Sequence, residues 1–85
     1  MNKEIVVVGL GYVGINIAHE LSKKTNVIGF DINKKLVNDY KNGIDNTKEI
    51  GNSIIKESKI VFTYDEKIIK KADVIIVAVP TPIDN

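Results

Sequence analysis

Short apolar segments alternate with segments of helical periodicity along this chain of 85 residues. The first apolar segment, EIVVVG (4–9), has the β-branched composition of a strand that is covered on both faces of a parallel sheet. Three further segments of this kind are NVIGFD (26–31), IVFTY (60–64) and DVIIVAVP (73–80). Each is predicted to form a strand, and the fourth is predicted to end at Pro80, because proline has no backbone N–H to donate.

Helices are predicted between these strands. The first helix covers 12–24, and residues three or four apart give it one predicted buried face, made of Val13, Gly14, Ile17, Ala18 and Leu21. The second helix follows the predicted N-cap Asn33 and ends before Gly43. Its predicted buried side chains are Leu36, Val37 and Tyr40.

The rest of the chain is a polar loop over 44–59, with a short helix around Ile54 and Ile55, and a last helix capped by Asp65 that carries Ile68, Ile69 and Ala72. The order of elements is therefore βαβαβαβ. Helical connections make the strands parallel, and right-handed crossovers leave few topologies. The predicted fold class is α/β: a Rossmann-like, doubly wound parallel sheet of four strands in the order 3-2-1-4, which is part of a complete domain.

Three glycines, Gly9, Gly11 and Gly14, follow the first strand directly and open the first helix. In a turn of this spacing the first glycine adopts backbone angles closed to other residues, and the second lets a pyrophosphate approach the main chain. The third lets the helix pack closely on the strand, and the helix start offers N–H groups to the anion. A strand–helix turn without a ligand is the alternative, which the strand–turn–helix context disfavours.

Asp31 ends the second strand, 22 positions after Gly9. A carboxylate there accepts both ribose hydroxyls of an adenosine and repels a 2′-phosphate, which favours NAD over NADP. Lys34 and Lys35 lie nearby, and such cations would tolerate a phosphate, but Asp31 is expected to dominate. The alternative is a helix-capping aspartate, although Asn33 is the better cap candidate.

The segment AVPTPID (78–84) follows the fourth strand, whose carboxyl end is predicted to face the same crevice as the glycine turn. Thr81 is placed to hydrogen-bond to cofactor ribose or phosphate, and Pro80 and Pro82 hold the loop extended. Spacing alone allows equally that this segment is a loop turn and nothing more.

Composition narrows the functional classes. The formal net charge of +1 gives no sign of nucleic acid or acidic lipid as a partner. The absence of cysteine excludes a disulfide, a thiolate metal site and a cysteine nucleophile within these residues. No apolar run approaches the ~20 residues that a membrane span needs, and strand-like sequence begins by Ile5, so neither a membrane segment nor a signal peptide is expected. The expected location is the cytoplasm.

Candidate catalytic and metal-ligating residues are not found. His19 is the single histidine and falls off the predicted buried face of its helix, so it is interpreted as a surface residue and not as a general base. Tyr12 is expected to matter through its backbone N–H and not as an aromatic clamp, and Tyr40 belongs to the core. No metal-ligand spacing is formed by the carboxylates Asp45, Glu49, Asp65 and Asp73.

The segments VVVGLGYVG, GFDIN, NGIDNT and ADVIIVAVPTPID, in this order, resemble the start of the UDP-glucose/GDP-mannose dehydrogenase family over essentially the whole chain. GLGYVG together with VPTP carries most of that resemblance. The segment GIDNT is more similar to the enzymes of UDP-N-acetylhexosamines, or of the corresponding hexosaminuronates, than to UDP-glucose dehydrogenases.

The resemblance implies a longer enzyme with an NAD domain, a central helical dimerisation region and a C-terminal domain that binds the nucleotide sugar. It implies oxidation of the sugar C6 alcohol to a carboxylate with two NAD, through intermediates on a cysteine, in polysaccharide precursor synthesis by a homo-oligomer. None of those catalytic positions falls within 1–85. The expectation is therefore that 1–85 is the N-terminal part of a dinucleotide-binding domain, inactive alone.

By position, the resemblance places the backbone of Tyr12 and Val13 at the NAD pyrophosphate, Asp31 at the adenosine ribose and Thr81 against the cofactor. Where the family often has arginine or lysine, five residues after the acidic residue, this chain has Leu36. The adenosine contact that the basic residue provides is therefore not supplied by Leu36.

Lys34 and Lys35 are the residues that could provide this contact in place of Leu36.

A second departure is the segment Gly14-Ile15-Asn16, where the family often reads GLP. Loss of the proline is expected to be tolerated near a helix start.

Two other functions share the glycine turn. β-Hydroxyacid dehydrogenases have a similar turn, but they usually have methionine where this chain has Val13, and they lack VPTP. Regulatory domains that sense NAD without chemistry, such as those that gate potassium transport, can stand alone near this length, and VPTPID argues against them.

Overall fold

The computed structural model describes residues 3–78, which form eight elements. Four are strands and four are helices, and helical segments connect successive strands throughout. In chain order they are β1 (Ile5–Val8), α1 (Tyr12–Ser22), β2 (Val27–Phe30), α2 (Lys34–Lys41), α3 (Asn52–Glu57), β3 (Val61–Thr63), α4 (Lys67–Lys70) and β4 (Val74–Val77).

The four strands form one parallel sheet in the order β3-β2-β1-β4. In the centre, Val7 of β1 is in register with Gly29 of β2 on one side and with Ile76 of β4 on the other. The predicted doubly wound order is therefore confirmed. All carboxyl ends of the strands lie at one edge, which is where the glycine turn and Asp31 follow their strands.

Helix α1 turns most of its predicted face to the core, but the prediction was wrong for Val13, and Ile15 is buried in its place. Gly14, Ile15 and Ala18 are buried, whereas the side chain of Val13 is 61% exposed. Ile17 and Leu21 are partly buried and pack against the core. The helix is rotated because Gly14 must face the sheet, and a rotation of about 100° per residue then turns Val13 to solvent.

Helix α2 follows its prediction. The side chain of Asn33 accepts the N–H of Leu36 at 3.1 Å, which is an N-cap. The helix ends at Lys41 with Asn42 as its C-cap, and Gly43 follows with φ +79°. Val37 and Tyr40 are buried, and Leu36 packs against the core.

Both short helices form, but the last one is shorter than predicted: α4 includes Ile68 and Ile69 and ends at Lys70, before Ala72. In α3, Ile55 is buried while Ile54 is exposed, so a single residue of this helix anchors it to the core. Asp65 is not the cap that was predicted for α4, because the N-cap position is Glu66, whose side chain forms no cap hydrogen bond. Asp65 lies one residue earlier, and its Oδ1 accepts the N–H of Lys67 at 3.0 Å. Within residues 3–78, no helix combines the length and the apolar character that a membrane crossing requires.

The core lies between the sheet and helices α1, α2 and α3. Its largest members are Leu10, Ile15, Tyr40, Ile55, Ile60 and Phe62. The rings of Tyr40 and Phe62 stack with centroids 5.0 Å apart. The core therefore joins the second helix to the carboxyl edge of the sheet, directly below the glycine turn.

Candidate functional site

The turn between β1 and α1 begins at Gly9, which has φ +98°. Side-chain-bearing residues rarely adopt this angle, so the prediction that the first glycine is needed for its backbone conformation is confirmed. The N–H of Gly9 donates to the carbonyl of Phe30 at 2.8 Å and continues the pairing of β1 with β2 by one residue. The turn therefore leaves the sheet at its carboxyl edge.

Gly14 brings helix α1 into direct contact with this turn. A β-carbon at position 14 would lie 1.6 Å from the carbonyl oxygen of Gly9, far inside van der Waals contact. Close packing of helix on strand was the role predicted for the third glycine, and the geometry confirms it. The same contact fixes the start of α1 over the end of β1.

Gly11, the second glycine, has open space on the side where a side chain would lie. A β-carbon on Gly11 would meet no atom within 4 Å. Gly11 is the N-cap of α1 and has no side chain to satisfy the first N–H groups of the helix. Among residues 3–78, no acceptor is found for the N–H groups of Tyr12 and Val13, whose side chains are exposed. Such a helix start, at the positive end of the helix dipole, suits an anion.

A cleft of about 310 Å³ opens at this point, lined by Gly11, Tyr12, Val13 and Ala78. Ala78 follows β4, and its N–H donates to the carbonyl of Val8 at 2.8 Å. The cleft therefore lies between the glycine turn and the carboxyl end of β4, as the strand order requires. Thr81, with Pro80 and Pro82, lies outside the described residues, so its predicted contact stays a prediction.

Asp31 faces the glycine turn from the end of β2. Its Oδ2 accepts the N–H of Leu10 at 2.8 Å, and its Oδ1 accepts the N–H of Asn33 at 2.9 Å. The backbone N–H of Asp31 donates to the carbonyl of Thr63 at 3.2 Å. Each carboxylate oxygen keeps a further lone pair, so the group can still accept hydroxyl donors. The cap of α2 is Asn33, which removes the alternative that Asp31 is the capping residue.

The neighbouring lysines do not pair with Asp31. The ammonium of Lys35 pairs with Asp39 at 2.9 Å within α2. The ammonium nitrogen of Lys34 lies 5.5 Å from the centre of the ring of Tyr64, the residue that follows β3. Leu36, which stands where the family pattern often has a basic residue, packs against the core instead. Of the two lysines expected as substitutes, Lys34 is therefore the one turned to the end of β3.

Tyr40 contacts the turn in a way that the sequence did not indicate. Its hydroxyl donates to the carbonyl of Leu10 at 2.7 Å, while its ring lies in the core. Burial raises the pKa of the Tyr40 phenol above its ordinary value, so the hydroxyl stays a donor. Periodicity assigned Tyr40 to the core correctly, but no local pattern predicts a hydrogen bond across 30 residues.

The remaining carboxylates form no metal centre: residues 3–78 contain no cluster of three potential ligands. Asp45 is buried and accepts the backbone N–H groups of Thr47, Ile50 and Gly51. Burial alone would raise its pKa, but these hydrogen bonds, with that of the Thr47 hydroxyl, hold the pKa of Asp45 below its ordinary value. Asp45 therefore organises its own loop.

His19 is half-buried and lines a groove between α1 and α3, together with Ser22 and Glu57. It is less exposed than a solvated surface histidine. The groove lies two helical turns along α1 from Tyr12, so His19 takes no part in the glycine-turn site.

Comparison with known families gives a match over residues 3–85 to the model of the UDP-glucose/GDP-mannose dehydrogenase family, NAD binding domain. Among curated proteins, Protein CapL of Staphylococcus aureus is 49% identical over 85 residues, which is 100% of this chain and 20% of that protein. UDP-N-acetyl-D-glucosamine 6-dehydrogenase of Pseudomonas aeruginosa is 46% identical over 83 residues, 96% of this chain and 20% of that protein.

A third relative, UDP-N-acetyl-D-mannosamine dehydrogenase of Methanococcus vannielii, is 40% identical over 87 residues, 94% of this chain and 19% of that protein. The chain thus spans about a fifth of the length of these relatives.

Solved structures agree with the fold. A ternary complex of GDP-mannose dehydrogenase from Pseudomonas aeruginosa superposes with a TM-score of 0.81 at 29% identity, covering 94% of this chain and 20% of the other. A UDP-D-ManNAc dehydrogenase from Pyrococcus horikoshii gives a TM-score of 0.83 at 28% identity, covering 95% of this chain and 21% of the other. The four-stranded sheet is therefore part of a dehydrogenase Rossmann domain.

Proposed function

This chain belongs to the UDP-glucose/GDP-mannose dehydrogenase family, in the part that binds NAD, and from this premise we propose that it serves a nucleotide-sugar 6-dehydrogenase. The protein as a whole oxidises the C6 alcohol of a UDP-N-acetylhexosamine to a carboxylate with two NAD, in polysaccharide precursor synthesis. The choice of sugar is supported by relatives named for UDP-N-acetyl-D-glucosamine and UDP-N-acetyl-D-mannosamine.

The proposal divides the work within the protein. Residues 1–85 are the N-terminal part of the dinucleotide-binding domain. Binding of the nucleotide sugar, the covalent chemistry and the contacts between subunits of a cytoplasmic homo-oligomer belong to other parts of the protein. The absence of cysteine from these residues and their span of about a fifth of the relatives' length support this division.

One observation carries the proposal: the first N–H groups of helix α1, which have no acceptor among residues 3–78, open on a cleft beside Gly11, where even a β-carbon would meet no atom within 4 Å. Gly9 and Gly14 shape the turn, and Gly11 leaves room for the NAD pyrophosphate. The N–H groups of Tyr12 and Val13 then donate to its phosphate oxygens. The residues at hand therefore fit the cofactor of the family.

Asp31 is proposed to hold the adenosine ribose through its remaining lone pairs, and Thr81 to contact the cofactor beside the end of β4. The carboxylate of Asp31 also disfavours a 2′-phosphate by charge. Bound NAD supplies the hydride acceptor. The described residues contribute binding and orientation, and none is assigned a catalytic role.

Calorimetric titration of NAD and of NADP into the protein tests the cofactor part of this proposal. NAD should bind, and NADP should bind at least about tenfold more weakly because its 2′-phosphate meets Asp31. Equal affinities would remove the role of Asp31 in the choice of cofactor. Failure of NAD to bind would overturn the proposed function.

The sugar part is tested with the whole protein, by measuring the NADH that forms from NAD when UDP-N-acetylglucosamine, UDP-N-acetylmannosamine or UDP-glucose is the substrate. Two NADH should form for each N-acetylhexosamine consumed, with a carboxylate product. One NADH per sugar would contradict oxidation to the acid, and preference for UDP-glucose would contradict the choice of sugar.

A further inference from the structure

The peptide that joins Leu10 to Gly11 is held from its buried side. The Tyr40 hydroxyl donates to the Leu10 carbonyl at 2.7 Å, and both side chains are at most 2% exposed. The N–H of Leu10 is held separately, by Asp31 Oδ2 at 2.8 Å. Side chains from the second βα unit therefore restrain both polar backbone groups of Leu10.

The orientation of the Leu10 carbonyl determines where the next N–H points. A trans peptide is planar, so its C=O and its N–H point in opposite directions, and no cis peptide is found in residues 3–78. With the carbonyl of Leu10 directed at Tyr40, the N–H of Gly11 must point away from the core. No acceptor for that N–H is found within the described part of the chain.

Tyr40 is itself fixed firmly enough to impose this orientation. Its ring stacks on Phe62 at 5.0 Å between centroids, and helix α2, which carries it, is capped by Asn33. The raised pKa of the phenol keeps its proton in place across the neutral and moderately alkaline range.

We propose that Tyr40 is a positioning residue for NAD, whose hydroxyl holds the Leu10–Gly11 peptide so that the Gly11 N–H donates to the pyrophosphate. This inference rests on the proposed function, because it deepens the role of the same glycine turn. Tyr40 does not touch the cofactor; it acts through the backbone of Leu10. Without the hydroxyl, the peptide loses the contact that keeps its carbonyl turned inward.

The test is NAD titration of wild type, Tyr40→Phe and Ile55→Val by calorimetry, with thermal unfolding of each. Tyr40→Phe keeps the ring against Phe62 and removes the hydroxyl. Ile55→Val removes one buried methyl group from α3 and is a control for general loss of stability. We expect Tyr40→Phe to weaken NAD binding about three- to tenfold, the range of one hydrogen bond, and Ile55→Val to leave it unchanged.

A second measurement follows the Gly11 amide resonance by NMR in the wild-type protein and so does not depend on the folding of any variant. NAD should shift this resonance strongly, because the Gly11 N–H gains an acceptor. A Gly11 amide that does not respond to NAD would overturn the inference.

The failures are distinguishable. Equal NAD affinity of wild type and Tyr40→Phe would overturn the positioning role alone and leave Tyr40 as a core residue. Equal weakening in Tyr40→Phe and Ile55→Val would attribute the effect to stability and overturn it as well. Failure of the wild-type protein to bind NAD would instead overturn the proposed function, and this inference with it.

Discussion

The carboxylate of Asp31 and the backbone N–H of Leu10, 21 residues apart in sequence, are joined by a hydrogen bond of 2.8 Å. Leu10 is fully buried, and it lies between the two glycines that shape the turn. The side chain proposed to hold the ribose therefore also holds the turn proposed to receive the pyrophosphate. A change at Asp31 should affect the stability of the turn as well as the affinity for NAD.

Asp31→Ala should show both effects. Removal of the carboxylate leaves the buried N–H of Leu10 without an acceptor, which should lower the free energy of unfolding by about 1–3 kcal/mol. It also removes the acceptor of the ribose hydroxyls, which should weaken NAD binding at least about tenfold. Urea unfolding and calorimetric titration measure the two effects.

Asp65→Ala is a matched control for Asp31→Ala. Asp65 also follows a strand, and its Oδ1 accepts the N–H of the second residue on, Lys67, as Asp31 accepts that of Asn33. It is exposed, and the N–H of Leu10 is bound by Asp31 and not by Asp65. Asp65→Ala should lower stability by about 1 kcal/mol or less and leave NAD affinity unchanged. An equal loss of affinity in both variants would contradict the role of Asp31.

The second and third glycines should respond to alanine in opposite ways. Gly14→Ala places a β-carbon 1.6 Å from the Gly9 carbonyl oxygen, so helix α1 must move away from the sheet. We expect a loss of stability of at least about 3 kcal/mol, or failure to fold. Gly11→Ala meets no atom within 4 Å and should fold with near-normal stability, but its methyl group should obstruct the pyrophosphate.

Thermal unfolding and NAD titration of both variants check this contrast. A stable Gly14→Ala protein would contradict the close packing of α1 on the turn. A Gly11→Ala protein with normal NAD affinity would show that the open space beside Gly11 is not where the pyrophosphate lies.

Much of this arrangement follows from local pattern. The β-branched segments and the helical connections predicted the strand order, and the spacing of Gly9, Gly11 and Gly14 predicted the turn. These features depend on the backbone and on nearest neighbours in sequence, which is why one sequence is enough to predict them.

The features that the sequence could not predict depend on contacts between distant segments. Val13 was expected to be buried, but the contact of Gly14 with the Gly9 carbonyl determines the rotation of α1 and turns Val13 outward. The hydrogen bonds of Leu10 with Asp31 and Tyr40 span 21 and 30 residues and leave no periodic signal. The exact surroundings of the turn therefore require a structure.

Acid should destabilise the protein through Asp45. Hydrogen bonds in the fold hold the pKa of this buried carboxyl below its ordinary value of 3.8, so the folded state binds the proton less readily than the unfolded state. The stability that Asp45 contributes is fully present above that ordinary value and is lost as the pH falls below it, through the lowered folded pKa. Urea unfolding at a series of pH values from neutral to strongly acidic should show this decline.

Asp45→Asn should make the free energy of unfolding depend less on pH in the acidic range. It should also lower that free energy at neutral pH by about 1–3 kcal/mol, because asparagine has one accepting oxygen where aspartate has two. Asp73→Asn provides the comparison, because Asp73 is exposed and accepts a single backbone N–H, from Glu4. Its effects at neutral pH should be smaller. An unchanged acid slope in Asp45→Asn would assign the decline to other carboxyls.

Asn33 should support the glycine turn indirectly, through the helix that carries Tyr40. Asn33→Ala removes the acceptor of the Leu36 N–H at the start of α2 and should lower the free energy of unfolding by about 1 kcal/mol. Asn38→Ala, at an exposed position inside the same helix, should be neutral or slightly stabilising, because alanine is the better helix former. Urea unfolding of both variants checks the difference. If Asn38→Ala lowers the free energy of unfolding as much as Asn33→Ala does, the loss comes from any substitution in helix α2 and not from removal of its N-cap.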